Sequence, residues 1–237
     1  MSSSIYLALD FPNWSETDQF IKTNQLQGVP VKVGMELFYR EGPKVIERLK
    51  ENNHAIFLDL KLHDIPTTVM RAMKNIAALE VDMVNVHALG GSEMIQRAKE
   101  GLQSGSISSS HQTKLIAVTV LTSMDQKTMN EELYILGDLQ EKAAYFSTFA
   151  ADHGADGVVC SVHEAKHIKE VCADSFITVT PGIRLNDSHS NDQKRIATPS
   201  FARENGADYL VIGRSVTQAE NPYNAYQQAV KEWEGTL

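Results

Sequence analysis

A closed (β/α)8 barrel, the TIM-barrel class of α/β fold, is what this sequence predicts, as a single domain over residues 1–237, and three observations predict it. Short runs rich in Val, Ile and Leu alternate with amphipathic stretches from end to end, as parallel strands covered on both faces require. The strand starts recur about every 29 residues, the length of one βα unit. No linker or shift in composition marks a domain boundary, and 237 residues is an ordinary length for such a barrel. A doubly wound open sheet is the competing architecture, but an even count of eight units favours closure.

The predicted strands are 5–10 (Ile-Tyr-Leu-Ala-Leu-Asp), 29–34, 55–62, 82–88, 114–121, 157–161, 176–182 and 209–214. Between them, residues 42–53 place Val45, Ile46 and Leu49 at helical spacing, with Lys44, Glu47, Arg48, Lys50 and Glu51 on the opposite face. Stretches 67–80, 92–103, 139–153, 163–173, 199–206 and 222–234 read similarly, and the whole is read as eight strands and eight helices in alternation. Three connections are long: 103–113, rich in Ser and Gly, then 122–138 after strand five and 184–198 after strand seven. Loops that follow strands lie at the catalytic end of a barrel, so 122–138 and 184–198 are candidate lids.

Bulk properties exclude several roles. The net charge is −8, with 22 basic against 30 acidic residues and no basic stripe, which disfavours general nucleic-acid binding. Such a protein must concentrate its cations locally if it takes an anionic ligand. Two cysteines, Cys160 and Cys172, form no disulfide framework and suit a reducing cytoplasm. No leader is read at residues 1–5, and no run approaches the ~18 apolar residues of a membrane span.

The most informative segment is Asp59-Leu60-Lys61-Leu62-His63-Asp64, which carries charge into an apolar strand. Buried charge is costly unless paired or used. Strand alternation puts Asp59 and Lys61 on one face, with Asp64 at or beyond the strand's end. Other polar groups fall at the same structural place: Asp10 ending strand one, Lys32 in strand two, His87 ending strand four and Thr122 after strand five. Pro181-Gly182-Ile183-Arg184 follows strand seven, and Gly213-Arg214 ends strand eight. Singly, Lys32 reads as a snorkelling surface group, Asp10 as a cap, and Asp59 with Lys61 as a structural ion pair. Together they converge on one rim of a barrel, which such separate roles do not explain. Gly182, Gly213, Arg184 and Arg214 suggest a phosphate site built from the loops after strands seven and eight. There is no P-loop and no dinucleotide fingerprint. His163 and His167, with Glu164, Lys166 and Lys169, read as a solvated helix face rather than metal ligands, and Cys160 as a small core residue.

At these residues the sequence resembles the orotidine 5′-monophosphate decarboxylase family over essentially its whole length. Phe57–Thr68 (FLDLKLHDIPTT) looks like that family's signature. Val31–Glu36, Val84–His87, Thr180–Arg184 and Val211–Ser215 are similar to its other blocks, in the same order. The resemblance implies decarboxylation of orotidine 5′-monophosphate to UMP and CO₂, the last step of UMP synthesis. It also implies no metal or organic cofactor, and a homodimer with shared active sites. Lys32, Asp59, Lys61 and Asp64 would form an alternating charge network, with Asp64, Ile65 and Thr68 serving the partner's site. Asp10 and Lys32 would hold ribose hydroxyls, and Thr122 would sit by the pyrimidine. Arg184, Gln193, Gly213 and Arg214 would hold the phosphate. Lys61 would be the proton donor. Two competing readings are a metal-dependent sugar-phosphate decarboxylase on a related barrel, which shares an Asp-x-Lys-x-x-Asp pattern, and a non-catalytic barrel that binds a phosphate ligand. The His63–Thr68 continuation argues against the first, and occupation of all four network positions against the second.

Overall fold

Eight parallel strands close into a barrel in sequence order. They are β1 (Ile5–Ala8), β2 (Val31–Gly34), β3 (Ile56–Leu62), β4 (Met83–His87), β5 (Lys114–Val118), β6 (Gly157–Val159), β7 (Ile177–Thr180) and β8 (Tyr209–Ile212). Closure is made by β1 on β8, with Ile5 opposite Leu210 and Leu7 opposite Ile212. The computed structural model describes residues 4–108, 111–185 and 197–236.

All eight expected strands are present, but most stop short of their predicted C-terminal ends. The apolar pattern continues past the last paired residue, so Asp10, Thr122, Arg184, Gly213 and Arg214 lie on the rim beyond the ladder. The helices correct the expected count of eight, because ten α-helices lie among the described residues. These are α1 (Trp14–Thr23), α2 (Met35–Glu41), α3 (Lys44–Glu51), α4 (Pro66–Ala77), α5 (Ser92–Gly105), α6 (Leu139–Asp152), α7 (Val162–Cys172), α8 (Pro199–Glu204), α9 (Arg214–Thr217) and α10 (Pro222–Glu234). Units two and eight each carry a broken pair. Gly42, in the left-handed region at φ 66°, ends α2, and Pro43 restarts the chain as α3. Asn221, whose side chain caps Asn224, with Pro222 at the first turn, separates α9 from α10.

Two apolar layers hold the barrel. Outward residues of the strands, such as Leu7, Leu58, Val84 and Ile212, pack under the helices. Inward residues Tyr6, Phe57, Met83, Ile116, Val179 and Val211 fill the barrel floor. Tyr6 meets Phe57 and Tyr209 edge-on, with centroids 6.2 and 5.9 Å apart, and Lys114 Nζ donates to the Tyr209 hydroxyl at 3.2 Å. Burial, with Asp82 nearby, pushes the Tyr6 phenol well above its ordinary pKa. A repeated carboxylate fixes the register below. Asp82, Asp156 and Asp208 stand just before β4, β6 and β8, and each accepts a backbone N–H at 2.7 Å from the preceding strand, at Ile56, Leu115 and Thr178. Lys99 and Lys169 neutralise the last two at 2.6 Å. Helices α4 and α5 approach most closely where Gly101 and Gly105 face the backbone at Met70 and Lys74. A Cβ at either glycine would collide with a carbonyl.

The solvated face expected around His163 holds for His163 and Lys166, which are exposed, but not for Glu164. That carboxylate is buried and accepts the Ser161 N–H at 2.8 Å, completing a capping box with the Ser161 hydroxyl at the start of α7. Cys160 is fully buried, as its core reading requires.

His54 gives a pH prediction. It is buried between α3 and β3, with Nδ1 2.6 Å from the Val29 carbonyl and Nε2 without a partner among the described residues. Burial lowers its pKa and the Val29 bond only partly opposes this. A lowered imidazole pKa favours the neutral form in the fold, so stability is full above about 6.5 and is lost as pH falls below it toward the folded value. The melting temperature should fall between pH 7 and pH 5, and less steeply in His54→Gln, as scanning calorimetry at both pH values would measure.

Candidate active site

The C-terminal ends of the strands enclose a cavity of about 620 Å³. Its floor is apolar, from Ala8, Phe57, Val118, Val159 and Val211. Its walls carry four cationic side chains, Lys32, Lys61, Arg184 and Arg214, against two carboxylates, Asp10 and Asp59. A chain of net charge −8 therefore holds a local excess of positive charge here.

Asp59 is the centre of this site. It lies on β3 two residues after Phe57, so alternation turns it inward with Phe57 and Lys61. Its two oxygens are divided between two cations. Oδ2 is 3.2 Å from Lys32 Nζ and Oδ1 is 2.6 Å from Lys61 Nζ. Lys32 Nζ also reaches Asp10 Oδ1 at 3.1 Å. The order along the rim is thus Asp10, Lys32, Asp59, Lys61. Burial by itself would raise the Asp59 pKa, but the charges of Lys32 and Lys61 and bonds from Lys61 and Asn85 outweigh it and hold the carboxyl below its ordinary range. Burial likewise works against the Lys32 ammonium, and Asp59 and Asp10 more than reverse it, leaving its pKa raised. Asp59's contribution to stability is therefore present above its unfolded pKa and lost as pH falls through its lower folded value. Lys32's is present below its unfolded pKa and lost as pH rises through its higher folded value. Both are ionised together across the neutral range.

The surface reading of Lys32 does not survive: the residue is buried, inside a two-sided ion pair. The strand leaves little room there. A Cβ on Gly34 would come within 3.2 Å of Lys32 Nζ and 3.3 Å of Asp10 Oδ1.

Across the cavity, Gly182 lies two residues beyond β7 with φ 82°, a conformation that favours glycine, and Arg184 follows it. Arg184 is buried, and its guanidinium donates to the Ile183 carbonyl at 2.9 Å. Gly213 and Arg214 open the short helix α9 on the same wall, and Thr122 lies on the wall above β5. Eight of the expected residues thus share one cavity: Asp10, Lys32, Asp59, Lys61, Thr122, Arg184, Gly213 and Arg214. Asp64, Ile65 and Thr68 do not line it. They are exposed at the turn into α4, where the Asp64 carboxylate accepts the Ile65 N–H at 2.6 Å. Asp64 makes no ion pair within the chain among the described residues. Gln193 lies outside the described residues.

One residue near the site, Asn85, was not singled out from the sequence, whereas its neighbour His87 was. Asn85, on β4, is fully buried and bonds both Asp59 and the Lys61 backbone at 2.7 Å. The signal for it was present: a lone amide on the inward face of an otherwise apolar strand. His87, two residues on, stands beside His63 with ring centroids 5.5 Å apart. Burial, then the charges of His63 and Lys61, lower its pKa.

Fold and site together define an enzyme-type (β/α)8 barrel whose charged mouth suits an anionic, phosphate-bearing ligand. The model of the orotidine 5′-phosphate decarboxylase / HUMPS family matches residues 3–229. The chain belongs to that family. It is 52% identical over 235 residues to the orotidine 5′-phosphate decarboxylase of Bacillus cytotoxicus, covering 99% of each chain. Among solved structures, the orotidine 5′-phosphate decarboxylase of Lactobacillus acidophilus superposes with a TM-score of 0.87 at 40% identity, over 98% of this chain and 99% of that one. An uncharacterised conserved protein from Geobacillus kaustophilus superposes at 0.85 with 46% identity, over 97% and 99%.

Proposed function

We propose that this chain decarboxylates orotidine 5′-monophosphate to UMP and CO₂, and that Lys61 is the proton donor. The observation that carries the reading is the Asp59 carboxylate held between Lys32 and Lys61 at 3.2 and 2.6 Å, in the mouth of a cavity whose far wall carries Arg184 and Arg214. Full-length membership of the family supports it.

Loss of CO₂ from ring carbon six leaves an electron pair in the plane of the ring, where the π system cannot delocalise it. The Lys61 ammonium stabilises that developing charge and then gives it a proton, so the broken C–C bond is replaced by C–H. The neutral amine regains its proton from solvent. Asp59 orients Lys61 and stands beside the departing carboxylate. Asp10 and Lys32 take the ribose hydroxyls, and Thr122 takes the pyrimidine. Arg184, Gln193, Gly213 and Arg214 take the phosphate, with bidentate donors from the guanidinium groups. Phosphate binding, remote from the reacting carbon, supplies binding energy that helps to assemble the site.

The chain acts as one barrel domain and as a cytoplasmic homodimer, with Asp64, Ile65 and Thr68 given to the partner's cavity. Exposure of Asp64 away from its own cavity supports the exchange. Exposed apolar groups at the ends of three neighbouring strands also support it: Met35 and Tyr39 after β2, Ile65 after β3 and Leu89 after β4. No nucleic acid or membrane enters this reading, and no helix among the described residues is long and apolar enough to cross a membrane.

Purified protein should consume orotidine 5′-monophosphate in an ultraviolet absorbance assay and do so equally with EDTA. Loss of activity in EDTA points instead to the metal-dependent sugar-phosphate decarboxylases of related barrels. No absorbance change at micromolar enzyme defeats the proposal.

A further inference from the structure

Strand β3 does not run evenly to Lys61. Its pairing with β4 is regular at Phe57–Met83 and Leu58–Val84 and then slips, resuming at Leu62–Val86. Across that interval β3 advances four residues while β4 advances two. Inside the slip Lys61 has φ 52°, a left-handed backbone that residues with a Cβ rarely adopt. Such a conformation persists only where the surroundings over-determine it.

Asn85 stands opposite the slip and is fully buried. Its Oδ1 accepts the Lys61 backbone N–H at 2.7 Å, replacing the ladder partner that the slip removes. Its Nδ2 donates to Asp59 Oδ1 at 2.7 Å, the same oxygen that takes the Lys61 ammonium at 2.6 Å. The two neighbours fix the amide's orientation, since one offers only a donor and the other only an acceptor. We propose that Asn85 is a positioning residue, which holds the Lys61 backbone in its left-handed turn and the Asp59 carboxylate against the ammonium, so that one amide sets the aim of Lys61 into the cavity. The inference rests on the reading of Lys61 as proton donor.

Without the amide, the Lys61 N–H has no acceptor and its backbone is free to relax toward extended φ. The ammonium moves with it, and displacements of about 1 Å at a reacting group cost about a hundredfold in rate. Substrate affinity is set mainly by Asp10, Lys32 and the phosphate wall, which Asn85 does not touch, so the damage falls on turnover.

The test uses Asn85→Leu, which keeps much of the volume and removes both bonds, and Asn85→Asp, which keeps an acceptor for the Lys61 N–H and loses the donor to Asp59. Three quantities are measured: kcat and KM for orotidine 5′-monophosphate, UMP affinity by calorimetry, and hydrogen exchange at the Lys61 amide by NMR. In Asn85→Leu, kcat is expected to fall about a hundredfold, with KM and UMP affinity within about threefold and Lys61 exchange at least about tenfold faster. In Asn85→Asp, kcat falls while the Lys61 amide stays protected. Should Asn85→Leu fail to fold, Asn85→Asp decides the matter. A folded variant with near-native kcat, unchanged Lys61 exchange in Asn85→Leu, or equal loss of kcat and UMP affinity overturns the proposal. A wild-type protein without decarboxylase activity defeats the functional reading instead, and the exchange measurement still judges the backbone role of Asn85.

Discussion

Lys61→Ala is expected to lower turnover of orotidine 5′-monophosphate by at least about ten-thousandfold, while UMP still binds within about tenfold of wild type. Two losses combine. General acid catalysis contributes about 10²–10⁴-fold, and removing one preorganised electrostatic group costs about 10²–10³-fold. Neither is replaced by a neighbour, because Lys32 is already committed to Asp59 and Asp10 at 3.2 and 3.1 Å. The fold should tolerate the change. Asp59 keeps Lys32 and the Asn85 amide as partners, and the Lys61 side chain is partly exposed at the rim. Steady-state ultraviolet assay and UMP calorimetry check the two halves. Near-full activity in this variant removes Lys61 from its assigned role.

Mixing two inactive proteins should restore activity. Asp64→Ala is expected to be nearly inactive, as Lys61→Ala is, since in the proposed dimer each removes part of the charge network. If Asp64 crosses to the partner, a mixed dimer has one site lacking both groups and one site with both intact. Random exchange makes about half the dimers mixed, so about a quarter of wild-type activity returns under two-fold symmetry. The measurement is activity after co-incubating the two variants under conditions that exchange subunits, against each variant alone. Activity that stays at background, with mixed dimers demonstrated by mass spectrometry, places Asp64 in its own chain's site. The exposed carboxylate and the apolar Ile65 beside it, 68% exposed, are the features that make exchange the expected outcome.

Much of this architecture was legible as pattern. The eight strands are runs of branched and apolar residues, and burial on both faces leaves little else that such runs can become. The inward face of β3 followed from alternation alone, and Asp59 and Lys61 both line the cavity. Helices α1, α2 and α9 were missed, because the stretches read at 42–53 and 222–234 reach only α3 and α10. The last two have seven and four residues, too few turns for an apolar face to repeat. The slip in β3 was invisible because it replaces backbone pairing with one side-chain amide, and no spacing rule encodes that exchange. Asp64 shows the limit most clearly. Its place after the strand was predictable, but which subunit it serves depends on a surface that sequence periodicity does not describe.

The packed floor of the barrel has a consequence for traffic. Tyr6, Phe57, Met83 and Ile116 close the interior beneath the cavity, so it is a blind well. A reaction that splits one ligand into a gas and a nucleotide there gives both fragments the same doorway. With the floor packed shut, the mouth at the C-terminal ends of the strands serves entry and exit alike.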